Sequence, residues 1–482
     1  KTCIWSRKCD IIYIYWSRKC DKIYNYRSIK CESSYRLIKG ADSMYRKIMP
    51  ELKEWKNKKD RLPLILKGAR QVGKTWILQE FGKECFNDVL YINFENAGNI
   101  ANLFEGNIEP NRIIEYLSAL NHKKIKPEKT LIIFDEIQEL PRALTSLKYF
   151  AEETPEYAIC CAGSLLGVFL HDQVSFPVGK VDFLELQPLD FEEFLIANDE
   201  KILIDVIKKN KLEQLPDLVT DKLKDYLKKY FVVGGMPRAV KTWIEDKDFE
   251  LVERVQKGIL EAYERDFSKH TDNSTATKIQ YVWNSIPSQL AKENRKFIYG
   301  VVKDGARARE YENSINWLKD TGLIRVVNRV KCGNKQPLKA YEDLKAFKIY
   351  LLDVGLLRVL CELPYETIIE KDTIYNEFNG LLTEQFVLQE LGNIKKVNTI
   401  YYWSNEFQSE IDFVFAYKNL IIPVEAKAGI NVKAQSLKVY MKEYNPKFAI
   451  RYSLLNIKFN NKILNIPLYA IWNTENYIKE IN

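Results

Sequence analysis

The chain has 482 residues, 73 Lys and Arg against 65 Asp and Glu, three histidines and a hydrophobic share of 46%. That apolar content fills hydrophobic cores, so disorder is excluded as the overall state, and at roughly 100 to 200 residues per domain about three domains are expected. The net charge of +8 suggests a polyanion partner, but residues 1–43 hold ten basic and four acidic residues and carry +6 of it; the remainder has 63 basic against 61 acidic.

The chain begins with a repeat. Trp5–Tyr15 (WSRKCDIIYIY) recurs as Trp16–Tyr26 (WSRKCDKIYNY) and decays into Arg27–Leu37 (RSIKCESSYRL), a period of 11. Such a period suits a right-handed helical supercoil, but the density of Trp, Tyr and Ile among turn-prone residues makes a poor helix. Cys9, Cys20 and Cys31 share the spacing without the paired ligands that zinc needs, and Cys3 lies too far from Cys9 to supply them. Residues 1–43 are therefore expected to be a translated tandem repeat or an upstream extension outside the fold, with Met44 opening the first amphipathic helix.

The later cysteines, Cys85, Cys160, Cys161, Cys332 and Cys361, form no framework, and His122, His171 and His270 have no cysteine companions at ligand spacing. A metal or redox protein is disfavoured, and a reducing cytoplasm is expected. The early run IIYIYW is short and bracketed by charge, unlike a signal peptide. The apolar stretch Tyr157–Leu170 has 14 residues, short of the roughly 20 that cross a bilayer, so no membrane partner is expected.

The most informative segment is Leu62–Gln79 (LPLILKGARQVGKTWILQ). A strand-length apolar run enters Gly68, Ala69, Arg70, Gln71, Val72, Gly73, Lys74 and Thr75, then a helix-compatible stretch: G-x-x-x-x-G-K-[ST] in its required setting. The glycines let backbone N–H groups turn inward around phosphate at a helix N-terminus. All eight residues are therefore candidates for binding ATP, with Lys74 on the β and γ phosphates and Thr75 on Mg²⁺. Thr130–Gln138 (TLIIFDEIQ) supplies the acid strand. Leu131–Phe134 are buried in a parallel sheet, and Asp135 and Glu136 emerge at its C-terminal end. Asp135 is expected to hold the Mg²⁺ water shell and Glu136 to polarise the attacking water. Tyr91–Glu95 reads as the strand between these two. The strand Tyr157–Ala162 precedes Ser164, the candidate sensor of the γ phosphate, with simple turn chemistry as the alternative. Strands alternating with helices predict a doubly wound parallel sheet.

These residues, with Ala162–Gly167 (AGSLLG), Pro188–Leu195 (PLDFEEFL), Gly234–Val240 (GGMPRAV) and Tyr263–His270 (YERDFSKH), resemble a prokaryotic AAA-type ATPase family from about Met44 onward. The resemblance implies a RecA-like core, a winged-helix region, and a C-terminal domain of unknown function that resembles a restriction endonuclease. It also implies ring assembly. In that family the position of Lys180 usually holds arginine. Lysine cannot offer a bidentate fork, which leaves Arg238 as a weaker candidate finger, with a structural ion pair as the alternative.

Leu195 to about Asn273 is Lys, Leu, Asp and Glu rich with helical spacing, as in Lys222–Tyr230 (KLKDYLKKY), and reads as a helical lid behind the nucleotide. From Lys278 to Tyr341 the order of helix, helix, turn at Gly322 and strand pair suits a winged helix, whose Arg307, Arg309, Arg325, Arg329 and Lys331 are candidate phosphate contacts. Further on, Asn379–Leu391 has helical periodicity with Glu384, while Glu410–Phe415 alternates and Ile421–Lys427 (IIPVEAK) follows a short turn. Glu425 and Lys427 share a strand face, and Asp412 falls on the neighbouring strand. Two carboxylates, a lysine and a helix glutamate suit Mg²⁺-dependent phosphodiester hydrolysis, and the pattern resembles the PD-(D/E)XK nuclease core. A solvated ion pair is the alternative for E-x-K alone.

The expected α/β architecture is thus a leader (1–43), a P-loop ATPase core (44–194), a helical lid (195–275), a winged-helix region (276–345) and a nuclease-like domain (346–482). The expected function is ATP hydrolysis with Mg²⁺, coupled to a C-terminal domain that binds or cleaves DNA or RNA. The alternative is an ATP-occupancy switch with little turnover and a protein or nucleic-acid partner.

Overall fold

In the computed structural model the described residues are 2–6, 9–14 and 44–481, apart from 97, 165–176, 293–294, 370–376, 398, 406–408 and 430–434. The chain divides into two units, Lys1–Tyr45 and Arg46–Asn482. In the first, β1 (Thr2–Ser6) and β2 (Cys9–Ile14) pair antiparallel. Most of the repeat, including Cys20 and Cys31, lies outside the described residues.

The second unit starts with the helix Met49–Lys56. The apolar runs that follow become the strands β3 (Leu64–Lys67), β4 (Asp88–Asn93), β5 (Thr130–Asp135), β6 (Ala158–Ala162) and β7 (Asp182–Glu185). They form one sheet in the order β4-β5-β6-β3-β7, and every pairing is parallel. Parallel strands need covering on both faces, which is why β5 and β6 are buried along their whole length. Leu131, Ile132, Ile133 and Phe134 are fully buried. At about 2 kcal/mol each as an upper bound, they hold the acid strand at the centre of the sheet. One face packs Ile113, Leu117, Leu144, Leu147 and Phe150 from the helices Pro110–Leu120 and Pro141–Glu153. Because β6 lies between β3 and β5, the phosphate-loop strand and the acid strand end one strand apart.

Five helices follow: Phe191–Ala197, Lys201–Lys209, Asp217–Val233, Pro237–Asp246 and Phe249–Lys269. The last, 21 residues long, is capped by Asp248 and buries Val252, Gln256, Ile259, Leu260, Tyr263, Asp266 and Phe267. That spacing is one helical stripe, with a glutamine and an aspartate inside it. Three more helices, Asn273–Leu290, Tyr299–Val302 and Ala308–Asp320, precede β8 (Ile324–Val330) and β9 (Glu342–Leu351).

Two helices and a strand pair were expected here; three helices precede the pair, and β8 and β9 are not a free wing. β8 pairs parallel with β10 (Ile400–Ser404), joining a second sheet with β11 (Glu410–Tyr417), β12 (Leu420–Ala426), β13 (Ala449–Ser453), β14 (Lys458–Asn460) and β15 (Ile463–Pro467). Its order is β14-β15-β13-β12-β11-β10-β8-β9. The expected boundary at 345/346 falls inside β9, that at 275/276 inside the helix Asn273–Leu290, and that at 194/195 inside the helix Phe191–Ala197. Composition changes at these places, but the packing does not break. Two of the expected phosphate contacts have internal partners. Arg325 hydrogen-bonds the Leu388 carbonyl at 3.1 Å and the Gln187 side chain at 2.9 Å, and Arg329 pairs with Asp343 at 2.5 Å. Both are committed to internal partners.

The three regions of this unit meet at a buried junction around Gly234 and Gly235. Leu189 N donates to the Gly235 carbonyl at 2.7 Å, and Gly235 N donates to Asp353 at 2.6 Å. Cβ atoms on Gly234 and Gly235 would come within 2.2 Å of Asp353 Oδ1 and 2.0 Å of the Leu189 carbonyl, so only glycines allow this approach. Gln389, on the helix Glu377–Leu391, donates to Tyr230 Oη at 2.8 Å and accepts from Val354 N at 3.0 Å. Asp353 also accepts from Leu356 N at 3.0 Å. Asp353→Ala strands two buried N–H donors, and the expected loss is about 2–4 kcal/mol, read as a lower urea midpoint for the second unit.

Candidate functional site

The loop after β3 is shaped by backbone conformation. Gly68 has φ +145°, Gln71 φ +67° and Gly73 φ +93°. A Cβ at Gly68 would lie 2.3 Å from the Leu186 carbonyl. Left-handed Gln71 costs on the order of 1 kcal/mol or more, strain of the kind held where backbone N–H groups must converge on an anion. The helix Lys74–Cys85 starts there, adding its positive end. Arg46 braces the loop by donating to the Val72 carbonyl at 3.0 Å while pairing with Glu193 at 3.2 Å.

All the expected ATPase residues converge at the carboxyl ends of β3, β5 and β6. Lys74 is buried and its Nζ donates to the Gly68 and Ala69 carbonyls, both at 2.8 Å. Burial pulls its pKa down to about 8, with Arg70 adding to the fall and Glu136 and Asp135 opposing it. Thr75 Oγ1 donates to Asp135 Oδ2 at 2.7 Å. A hydroxyl and a carboxylate facing each other are the hard oxygen donors that Mg²⁺ takes alongside phosphates and water, so these two residues fit the ion. Tyr91 Oη donates to the same Asp135 oxygen at 2.8 Å, and burial, then this bond, push the phenol up to about 12.

Glu136 sits at φ +47° just beyond β5. Its Oε2 accepts from Gln138 Nε2 at 2.6 Å and from both the N–H and Oγ of Ser164 at 3.2 Å. Ser164 therefore does lie between the two nucleotide strands, where it contacts the acid. Neither Tyr91 nor Gln138 stands out in the sequence as a functional residue. Tyr91 lies within β4 and Gln138 three residues past β5, so only for Gln138 was position beyond a strand end an available signal. The helix Phe249–Lys269 closes one side. Tyr263 Oη donates to the Arg70 carbonyl at 2.8 Å, and Asp266 pairs with the Arg70 guanidinium. Of the two candidate fingers, Lys180 pairs with Glu152 at 3.0 Å, while Arg238 is exposed and forms no ion pair among the described residues.

The second constellation assembles on β11 and β12. Asp412 Oδ2 accepts from Ala426 N at 2.8 Å, tying the two strands together beside Glu425. Lys427 Nζ lies 3.0 Å from Glu425 Oε1, whereas Glu425 Oε2 is buried and has no hydrogen-bond partner. Burial raises the Glu425 pKa against the pull of Lys427. This is more than a solvated pair: an orphaned carboxylate oxygen beside a second carboxylate fits a divalent cation. Glu384, expected to complete the shell, is held by other side chains. Its oxygens are engaged by Arg295 and by Tyr350 Oη, the latter at 3.1 Å. Lys348, on β9, pairs with Glu410 at 2.5 Å. Among the described residues no three His, Cys, Asp or Glu side chains gather into a metal-binding cluster. Arg295, Lys348 and Tyr350 were not singled out by sequence: Arg295 lies before the expected C-terminal domain, and Lys348 and Tyr350 lie on β9, which only the continuous sheet joins to β11 and β12.

Residues 60–195 match the family profile described as an AAA domain, and residues 224–367 and 379–471 match two profiles described as domains of unknown function, DUF8612 and DUF4143. Solved structures similar to the chain include a Walker-type ATPase of Pyrococcus abyssi, at 15% identity over 66% of this chain and 96% of that one, with a TM-score of 0.43. The Orc1 protein of Aeropyrum pernix in complex with DNA has 14% identity over 68% and 95%, with a TM-score of 0.29. RuvB of Thermotoga maritima has 12% identity over 66% and 95%, also at 0.29. None of the curated proteins matches this chain.

The buried lysine makes ATP binding pH-dependent. Free Lys74 loses its proton above about 8, whereas a bound phosphate keeps it charged. Affinity therefore holds below that pH and falls as pH rises through it. Calorimetry in buffers of different ionisation enthalpy should show ~1 proton taken up per ATP at about pH 9 and almost none at about pH 7.

Proposed function

We propose, on the premise that residues 60–195 form an AAA-type P-loop ATPase domain, that the chain hydrolyses ATP and couples the cycle to its C-terminal acidic site. The carrying observation is the convergence of Lys74, Thr75, Asp135, Glu136 and Ser164 at neighbouring strand ends. The loop N–H groups and Lys74 hold the phosphates. Thr75 and Asp135 would hold Mg²⁺, which when bound offsets phosphate charge. Glu136 takes a proton from the attacking water as that water's oxygen bonds to the γ phosphorus. Ser164 orients Glu136 and senses the terminal phosphate. Glu136→Gln should cut phosphate release at least ~100-fold while ATP still binds. Lys74→Ala should abolish binding itself.

A second reading rests on the same carboxylate. Glu136 Oε2 already accepts three hydrogen bonds, so a proton from water has to go to its other carboxylate oxygen. In that reading ATP occupancy acts as a switch for a protein or nucleic-acid partner, with little turnover. Tight ATP binding with negligible phosphate release favours the switch; steady multiple turnovers favour the hydrolase.

For the C-terminal region, Asp412 and Glu425 would hold a divalent cation able to polarise a phosphodiester, with Lys427 placing water. The helix Glu377–Leu391, strands β10 to β12, the helix Gln435–Tyr444 and β13 follow one another in the order of a PD-(D/E)XK core. Nucleic acid is therefore the proposed partner, and a ring of identical chains the proposed assembly. Asp412→Ala should abolish Mg²⁺-dependent cleavage of DNA or RNA while ATPase stays within about twofold. A wild type that cleaves neither leaves the C-terminal region as a binding module.

A further inference from the structure

Arg70 is the second long cation of the phosphate loop beside Lys74, and its main chain and side chain are fixed separately. The Tyr263 phenol holds its carbonyl at 2.8 Å. Its guanidinium, half exposed, pairs with the buried carboxylate of Asp266. The charges acting on it are Asp266, Glu136 and Glu95, and it in turn acts on Lys74. Arg70 is thus a cation of the phosphate loop whose charge is felt by both the lysine that reaches the β and γ phosphates and the carboxylate that faces the attacking water. In the ATPase reading the terminal phosphate sits among these groups.

We propose that Arg70 is the cation of the terminal phosphate, supplied by the chain to its own site, and that Asp266 parks it between turnovers. This rests on the ATPase reading. When the triphosphate arrives, Arg70 exchanges one carboxylate for phosphate oxygens, whose greater charge and bidentate geometry favour the exchange. In hydrolysis the water oxygen bonds to the γ phosphorus and the bond from that phosphorus to the bridging oxygen breaks. The electron pair leaves with ADP and the water proton passes to Glu136. Arg70 neutralises the equatorial oxygens, where charge is spread in the transition state. Lys180 is held by Glu152, so a cation already in the loop supplies what that position does not.

The test compares the full chain with Arg70→Ala, Arg70→Lys and Asp266→Asn, using phosphate release and direct binding of ADP and a non-hydrolysable ATP analogue. Arg70→Ala should lose about 1,000-fold in kcat and weaken the triphosphate analogue, with ADP affinity within about threefold. Arg70→Lys should recover only a small part. Free guanidinium should restore turnover to Arg70→Ala but not to Lys74→Ala. Asp266→Asn should tighten the analogue, because nothing competes for Arg70. Turnover per chain should not depend on protein concentration. An Arg70→Ala protein within about threefold of a competent wild type overturns this role alone, as does equal loss of ADP and analogue binding, which makes Arg70 structural. A wild type that hydrolyses no ATP overturns this role together with the ATPase reading.

Discussion

The organisation of the second unit depends on one close backbone approach. The Gly234-Gly235 turn lies against the Leu189 carbonyl on one side and the Asp353 carboxylate on the other. Leu189 follows the nucleotide-binding sheet, the turn ends the helix Asp217–Val233, and Asp353 follows β9. A buried aspartate is costly to hold unless its oxygens are hydrogen-bonded, and here the backbone N–H groups of Gly235 and Leu356 and the amide of Gln389 surround it. Burial raises its pKa while those bonds oppose the rise. The contact is thus electrostatically specific, and it admits no side chain on the turn.

From that junction the helix Phe249–Lys269 runs to the phosphate loop. Near its start, Gln256 donates to the Val232 and Val233 carbonyls at 2.9 Å, and Arg358 holds both Glu253 and Gln256. Ten residues on, about 15 Å at 1.5 Å per residue, Asp266 meets Arg70. The same apolar stripe buries the residues between. A rigid element therefore has one polar end in the nucleotide site and the other against the helix that leads from β9 into the C-terminal region. A change in what Arg70 binds has a direct physical route to that helix.

Much of the nucleotide site was legible because its chemistry is local in sequence. Gly68 to Thr75 are contiguous, and a loop that curls its N–H groups around phosphate needs those residue types at that spacing. Asp135 and Glu136 were legible because a buried parallel strand is a continuous apolar run that ends in the site. Asp266 was not assigned a role, since nothing within Tyr263–His270 says what its carboxylate faces. The Asp412, Glu425 and Lys427 group was legible from strand alternation. Glu384 was found too, but its partner Arg295 comes from outside the expected domain and Tyr350 from the strand at that domain's edge, so its commitment to them was not.

By itself the sequence determined the phosphate loop, the acid strand, the parallel sheet and the paired carboxylates of the C-terminal region, all set by short-range rules of backbone conformation and side-chain period. Charge placement was equally local: +6 of the net +8 belongs to residues 1–43. Only the tertiary structure decided that β8 and β9 extend the C-terminal sheet, that Arg325 and Arg329 serve internal partners, and that Arg70 faces Asp266. The reason is physical. Hydrogen-bond pairing between distant strands and ion pairing between distant residues depend on which surfaces are buried together, and no periodicity within one segment encodes the identity of the other.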